Sequence, residues 1–101
     1  MKIGIIKFST TNLFSIKSAC DYYSLDSIIS NSSKELSKVD ALILPGVGSF
    51  KSAMNFLKEN NLLDLINEFN FKQKKIMGIC LGFQILFSES EEFGKSNGLN
   101  L

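Results

Sequence analysis

The segment Gly78-Ile79-Cys80-Leu81-Gly82 constrains the fold of this chain more than any other feature of the sequence. It follows a short apolar run that begins at Lys75, and it leads into a helical pattern that continues beyond Phe83. A buried strand that turns sharply into a helix forms a nucleophile elbow, which leaves one side chain exposed at the turn. The segment therefore predicts a strand, an elbow and a helix, with Cys80 at the tip.

The elbow glycines and the cysteine each have a predicted role. Gly78 and Gly82 flank the turn, where a Cβ atom would collide with neighbouring backbone. Backbone N–H groups at the start of a helix from about Leu81 to Ser88 would favour the thiolate form of Cys80. The alternative is that Cys80 is an inert buried residue, as free cysteines often are. Cys20 lies on an apolar helical stripe, and we predict that it belongs to the core.

Short apolar runs alternate with amphipathic stripes along the chain. Strands are predicted over residues 2–8, 25–30, 40–44 and from 75 to the elbow, and 99–101 resembles the start of another. The apolar positions of the helical stripes are Leu13, Ile16, Cys20 and Tyr23, then Phe50, Ala53, Met54 and Leu57, then Leu62, Leu65, Ile66 and Phe69. Ser49 and Asn61 are the predicted caps of the last two helices. The alternation predicts an α/β fold, a doubly wound and mostly parallel sheet with helices on both faces.

A second landmark, Pro45-Gly46-Val47-Gly48, ends the third predicted strand. Its two glycines let the backbone approach a ligand closely, although an ordinary strand-to-helix turn also favours glycine. Ligands of doubly wound sheets bind beyond the carboxyl ends of the strands. The turn at residues 9–12, the Pro45–Gly48 turn and Cys80 are therefore predicted to meet in one crevice.

Composition excludes several classes of function. The net charge is +1, which gives no electrostatic basis for binding nucleic acid or an anionic membrane. We find no apolar run long enough to span a membrane. The two cysteines are far apart and lack metal-ligand spacing, which favours a reducing, cytoplasmic setting and no metal site. The chain contains no histidine, so these residues alone cannot complete a mechanism that needs an imidazole.

Three segments together resemble the class I, triad-type glutamine amidotransferases. They are residues 11–19, Leu44–Phe50 and Gly78–Phe87, and the resemblance extends over essentially the whole chain. The cysteine elbow is shared across that class. The Pro-Gly-Val-Gly form of the second segment is most similar to the glutaminase subunits of imidazole glycerol phosphate synthases, which act in histidine biosynthesis.

This resemblance implies roles for five residues. Cys80 would be the nucleophile that attacks the side-chain carboxamide of glutamine and forms a thioester, releasing ammonia. Backbone N–H groups of Leu81 and of the segment Val47–Gly48 would form the oxyanion hole. Gln84 and Gly48 would help to bind glutamine.

The resemblance also implies a partner. Asn12 would lie at the edge that faces a synthase or cyclase subunit, a (β/α)8 barrel that receives the ammonia, and no metal or organic cofactor is implied. Members of the family are about twice as long and carry their histidine and glutamate in the second half. Residues 1–101 are therefore expected to be the N-terminal half of a single amidotransferase domain with an open sheet edge. Two alternatives remain, namely an amidotransferase subunit for surface sugars and a catalytically inactive docking or regulatory module.

Overall fold

The computed structural model describes residues 1–8, 13–46, 49–87, 89–90 and 96–101. Within these residues, strands and helices alternate through most of the chain. The strands are β1 (Lys2–Ile6), β2 (Asp26–Ser30), β3 (Ala41–Leu44), β4 (Lys75–Gly78), β5 (Glu89–Ser90) and β6 (Ser96–Asn97). The helices are α1 (Phe14–Tyr22), α2 (Ser33–Leu36), α3 (Phe50–Glu59), α4 (Leu63–Phe71) and α5 (Leu81–Gln84).

The first four strands form one parallel sheet in the order β2-β1-β3-β4. Helices pack on both of its faces. On one face α1 contributes Cys20, which packs together with Ile3 and Ile5 of β1. On the other face α2, α3 and α4 cover Leu42 and Leu44 of β3. The predicted doubly wound α/β fold is therefore confirmed.

The apolar stripes predicted for α3 and α4 are confirmed. All eight of their side chains are buried, namely Phe50, Ala53, Met54, Leu57, Leu62, Leu65, Ile66 and Phe69. Ser49 caps α3, because its side chain accepts a hydrogen bond from the backbone N–H of Ser52 at 3.1 Å. These side chains share one apolar cluster with Leu42 and Leu44 of β3, and their burial stabilises the helices over the sheet.

Asn61 does not cap α4, as the sequence had indicated, because it ends α3. It has a φ of 58°, and the next residue, Leu62, donates its N–H to the carbonyl of Leu57 at 2.9 Å. This hydrogen bond is that of a Schellman motif, whose left-handed residue is usually glycine or asparagine. Leu62 takes the N-cap position of α4 without a side-chain cap.

Tyr23 also departs from prediction, since its side chain is exposed. Helix α1 ends at Tyr22, and a second Schellman hydrogen bond runs from the N–H of Leu25 to the carbonyl of Cys20 at 2.8 Å. Ser24 provides the left-handed residue, with a φ of 56°. The helix therefore stops before its stripe reaches Tyr23, whereas Cys20 is buried as predicted.

The end of the chain also differs from the prediction. Residues 89–90 and 96–97, for which no strand was predicted, form a short antiparallel pair, β5 and β6. Residues 99–101 carry no strand in the structure; they lie against the turn that follows α5. None of the helices in the described residues is long and apolar enough to cross a membrane.

Candidate functional site

The site is built on the connection between β4 and α5. Cys80 lies between them with φ 53° and ψ −118°, the backbone angles of the first central residue of a type II′ turn. The N–H of Gly82 donates to the carbonyl of Ile79 at 3.0 Å, which closes that turn. A side chain at such a position costs about 1–3 kcal/mol, and strain of this kind concentrates at functional sites.

The glycines on either side of Cys80 are required by close packing. A Cβ atom on Gly82 would lie 1.6 Å from the carbonyl oxygen of Leu44. A Cβ atom on Gly78 would lie 2.6 Å from the Cα atom of Phe83. Both contacts are to backbone atoms, which cannot rotate away as a side chain can. The elbow is thus pressed against the end of β3 and folded back on its own helix.

The two cysteines have opposite environments. Cys80 is exposed at the carboxyl end of β4, whereas Cys20 is buried between α1 and β1, and both are free thiols. Solvent therefore reaches only one of them. The alternative that Cys80 is a buried residue is therefore wrong.

Helix α5 is much shorter than the predicted helix from Leu81 to Ser88, because it ends at Gln84. The carbonyls of Ile85, Leu86 and Phe87 accept hydrogen bonds from the N–H groups of residues 99–101. These hydrogen bonds replace the ones that the same carbonyls would accept within a longer helix. With only one turn of aligned peptides, the helix dipole acting on Cys80 is weaker than a full-length helix would supply.

The backbone N–H of Leu81, the expected oxyanion donor, already has a partner. It donates to the carbonyl of Gly46 at 3.0 Å. Gly46 has a φ of 152°, which side-chain-bearing residues rarely adopt, and its carbonyl faces the N–H of Leu81. The sequence motif Pro-Gly predicted close approach at this point but not this hydrogen bond. Val47 and Gly48, the other expected oxyanion residues, lie outside the described residues.

Gln84 lies on the same short helix as the elbow. It is exposed, and its backbone N–H donates to the carbonyl of Cys80 at 3.2 Å. Asn12, expected at the partner-facing edge, also lies outside the described residues. The structure therefore brings together Cys80, Leu81, Gln84 and the carbonyl of Gly46 at the carboxyl edge of the sheet.

Sequence reasoning missed an aromatic pair beside the elbow. The rings of Phe83 and Phe87 lie 5.4 Å apart in an edge-to-face arrangement, and both side chains are exposed. Their spacing of four residues was the available signal. Across the described part of the chain, no three His, Cys, Asp or Glu side chains are grouped as metal ligands would be.

Comparison with known proteins gives a consistent result. A family model described as the CobB/CobQ-like glutamine amidotransferase domain matches residues 2–101. The imidazole glycerol phosphate synthase subunit HisH of Geobacillus sp. (strain WCH70) is 46% identical over 99 residues, which are 98% of this chain and 47% of that protein. The same subunit of Sulfurimonas denitrificans is 42% identical, over 98% of this chain and 48% of that protein.

A solved structure agrees in fold. A crystal structure of a glutamine amidotransferase superimposes with a TM-score of 0.75 at 19% identity, covering 86% of this chain and 46% of that one. The chain spans about half the length of the curated relatives it matches.

Proposed function

The chain belongs to the family of CobB/CobQ-like glutamine amidotransferase domains, and from this premise we propose that it carries the nucleophile half of a glutaminase. Residues 1–101 would form the N-terminal half of a single domain. The observation that supports this most directly is the exposed thiol of Cys80, on a strained turn at the sheet edge where ligands of such folds bind. A purely structural cysteine has no need of this strain or exposure.

The proposed reaction begins when the thiolate of Cys80 attacks the side-chain carboxamide carbon of glutamine. The carbonyl oxygen becomes an oxyanion, then the C–N bond breaks and ammonia leaves after gaining a proton. Water hydrolyses the resulting thioester to glutamate and regenerates the thiol. Gln84 and Gly48 would hold the glutamine in place for the attack.

The oxyanion requires backbone donors, and in the described residues the expected one at Leu81 is already engaged. The N–H of Leu81 would stabilise it, but that group is bonded to the carbonyl of Gly46. Catalysis would therefore require the Gly46 carbonyl to release the N–H of Leu81, and an N–H of the Val47–Gly48 segment would be the second donor. One such donor typically contributes about 10²–10³-fold in rate.

The general base must come from outside residues 1–101, because these residues contain no histidine. In the family resemblance noted above, that base and its supporting glutamate belong to the second half of the domain. The relatives are about twice as long as this chain, which leaves room for both residues.

We further propose that the ammonia serves a synthase or cyclase subunit with a (β/α)8 barrel, in the synthesis of imidazole glycerol phosphate for histidine. The support is that the similar curated proteins are subunits of imidazole glycerol phosphate synthase. The edge that carries Asn12 would face this subunit. A cytoplasmic setting is consistent with the two free cysteines.

A second candidate is a docking or regulatory module that has kept the crevice without the chemistry. The observation in its favour is the absence of histidine from the 101 residues. It differs from the first candidate in one measurable respect, because a docking module has no reason to bind glutamine next to Cys80.

Covalent labelling tests the proposal. A diazo-ketone analogue of glutamine should modify Cys80 and leave Cys20 unmodified, and excess glutamine should slow the labelling of Cys80. Mass mapping of the labelled peptides measures both effects. A Cys20→Ser variant should behave like the parent chain, and Cys80→Ser should not be labelled. Labelling of Cys20 at an equal rate, or labelling of Cys80 that glutamine does not slow, would contradict the proposal.

A further inference from the structure

Asn97 precedes Gly98, and no other asparagine of the sequence is followed by glycine. Asn97 ends β6 with its side chain exposed, and residues 98–101 carry no helix or strand. An asparagine can lose its side-chain amide without an enzyme when the backbone nitrogen of the next residue attacks the carboxamide. Glycine hinders this attack least, because it has no Cβ atom beside the attacking nitrogen. The dipeptide therefore combines the most reactive neighbour with an accessible carboxamide.

The structure further separates Asn97 from the other described asparagines through the N–H group that would attack. A hydrogen-bonded N–H must first break its bond, which costs free energy. The N–H of Ser32, which follows Asn31, donates to Oγ of Ser30 at 2.9 Å. The N–H groups after Asn60, Asn61 and Asn100 donate to backbone carbonyls, and Asn55, Asn67 and Asn70 lie within α3 and α4. Within the described part of the chain, no backbone carbonyl accepts a hydrogen bond from the N–H of Gly98.

We propose that Asn97 is a site of spontaneous deamidation whose isoaspartate product releases residues 98–101 from the end of α5. The nitrogen of Gly98 bonds to Cγ of Asn97, the Cγ–Nδ2 bond breaks, and ammonia leaves with the proton that the nitrogen gives up. Water then opens the resulting succinimide ring. Opening at Cγ gives aspartate, whereas opening at the main-chain carbonyl carbon gives isoaspartate, in which the chain runs through Cβ and Cγ. Water is the only co-reactant.

The added main-chain methylene of isoaspartate lies directly before a closely packed segment. Residues 98–101 form a strap across the end of α5, and the N–H groups of Leu99 and Leu101 each donate to a carbonyl that follows this helix at 2.8 Å. A Cβ atom on Gly98 would lie 2.2 Å from the carbonyl oxygen of Phe87. A longer chain before Gly98 displaces the strap from these carbonyls.

The new carboxylate has a separate effect, which aspartate and isoaspartate share. It lowers the formal net charge from +1 to zero, so ion exchange separates the products from the parent chain. Asn97 lies directly opposite Glu89 in the β5–β6 pair. Like charges at opposite positions destabilise a strand pair. A chain with aspartate at residue 97 therefore isolates the effect of charge from that of the longer main chain.

Incubation of the chain in warm, mildly alkaline buffer tests the site. Peptide mapping by mass spectrometry follows each asparagine, since conversion adds about 1 Da, the difference between an amide NH2 and a carboxyl OH. Asn97 should react at least about tenfold faster than Asn31, the matched internal control, which is also exposed and outside helices and strands. Asn97→Gln, whose longer side chain must close a larger ring, should leave this peptide unchanged. A rate at Asn97 no greater than that at Asn31 would overturn the proposal.

The same incubation in urea tests the part played by the fold. Unfolding frees the N–H of Ser32 from Ser30, so the rate at Asn31 should increase by a larger factor than the rate at Asn97. A larger increase at Asn97 would mean that the folded chain shields this site, and the proposal would be wrong.

The release of the strap is tested on the isoaspartate form, purified by ion exchange and identified with a protein isoaspartyl methyltransferase and a labelled methyl donor. Hydrogen exchange at the N–H groups of Leu99 and Leu101 should be at least about tenfold faster than in the parent chain. Asn97→Asp should exchange more slowly than the isoaspartate form. Exchange in the isoaspartate form equal to that of the parent, or to that of Asn97→Asp, would refute the release. None of these measurements requires glutamine turnover, so their outcome is independent of the proposed function.

Discussion

The backbone of Cys80 is held in a conformation that suits glycine better than cysteine. Its positive φ is closed into a turn by the hydrogen bond from Gly82 to Ile79. Packing elsewhere requires this conformation of Cys80, because Gly82 can contact Leu44 only if the chain turns sharply just before Gly82. The backbone strain therefore lies at Cys80, the residue whose thiol is exposed.

This strain predicts a reversal of the usual stability order. Cys80→Gly should be more stable than Cys80→Ala by about 1 kcal/mol, because alanine is disfavoured at positive φ. Urea denaturation midpoints of the two variants measure the difference. Asn55, exposed within α3, is the control position. There glycine should be less stable than alanine by about 1 kcal/mol, and the same order at both positions would refute strain at Cys80.

The tightest contact of the elbow gives a second prediction. Gly82→Ala should destabilise the chain by more than Gly4→Ala, although both place a methyl group in a crowded site. The new Cβ at residue 82 meets the carbonyl of Leu44 at 1.6 Å, whereas at residue 4 it meets the end of the Leu36 side chain at 2.7 Å. Overpacking against a movable side chain costs about 1–3 kcal/mol. Thermal unfolding of both variants tests this, and equal losses would mean that the elbow can shift away from β3.

At the scale of elements, residues 98–101 act as a strap across the end of α5. The N–H groups of Leu99, Asn100 and Leu101 donate to the carbonyls of Ile85, Phe87 and Leu86, at 2.8, 3.2 and 2.8 Å. These carbonyls follow a helix of only four residues. The strap therefore supplies hydrogen bonds that a longer helix would make within itself.

Gly98 lets the strap approach, and its substitution should release it. A Cβ atom there would lie 2.2 Å from the carbonyl oxygen of Phe87 and 2.7 Å from the ring of Phe50. In Gly98→Ala, hydrogen exchange at the N–H groups of Leu99 and Leu101 should become at least about tenfold faster. Asn100→Gly is the control, since Asn100 has a φ of 55° that glycine adopts readily. Unchanged exchange in Gly98→Ala would show that the strap does not depend on this approach.

At the scale of the whole molecule, residues 1–101 hold the proposed nucleophile, Cys80, and no histidine that could act as its base. Within residues 1–101 no imidazole is available to deliver a proton to departing ammonia. The acidic residue Glu89 follows α5 on the β5–β6 pair, and Lys75 begins β4 at the end opposite the elbow. Lys75 is therefore too far along β4 to act as a general acid–base for Cys80.

A polypeptide of residues 1–101 alone should therefore show no glutaminase turnover above a Cys80→Ala control, with or without a synthase subunit. A positioned general acid–base typically contributes about 10²–10⁴-fold in rate. A coupled assay for glutamate provides the measurement. Turnover that depends on Cys80 would mean that another chain or an unforeseen residue supplies the base. Addition of the second half of a relative should restore turnover, if that half carries the histidine.

The sequence by itself determined the alternation of strands and helices as far as the elbow, the elbow itself and the apolar faces of α3 and α4. These features depend on local information. Apolar residues at helical spacing lie on one face of the helix, so that face must be buried whatever it packs against. Gly78 and Gly82 mark a turn that few other residues allow. The exposed Cys80 followed from the same pattern.

Only the tertiary structure decided how these elements end and what their backbone groups contact. Helix α5 ends at Gln84, and the carbonyls that follow it accept hydrogen bonds from residues 99–101. Asn61, with a positive φ, ends α3 just before α4. The N–H of Leu81 is bonded to Gly46, which is close in space but 35 residues away in sequence. Likewise, the exposure of Met77 depends on which helices cover its face. Which distant residue bonds to a given backbone N–H or carbonyl, or covers a given sheet face, leaves no periodic pattern in the sequence.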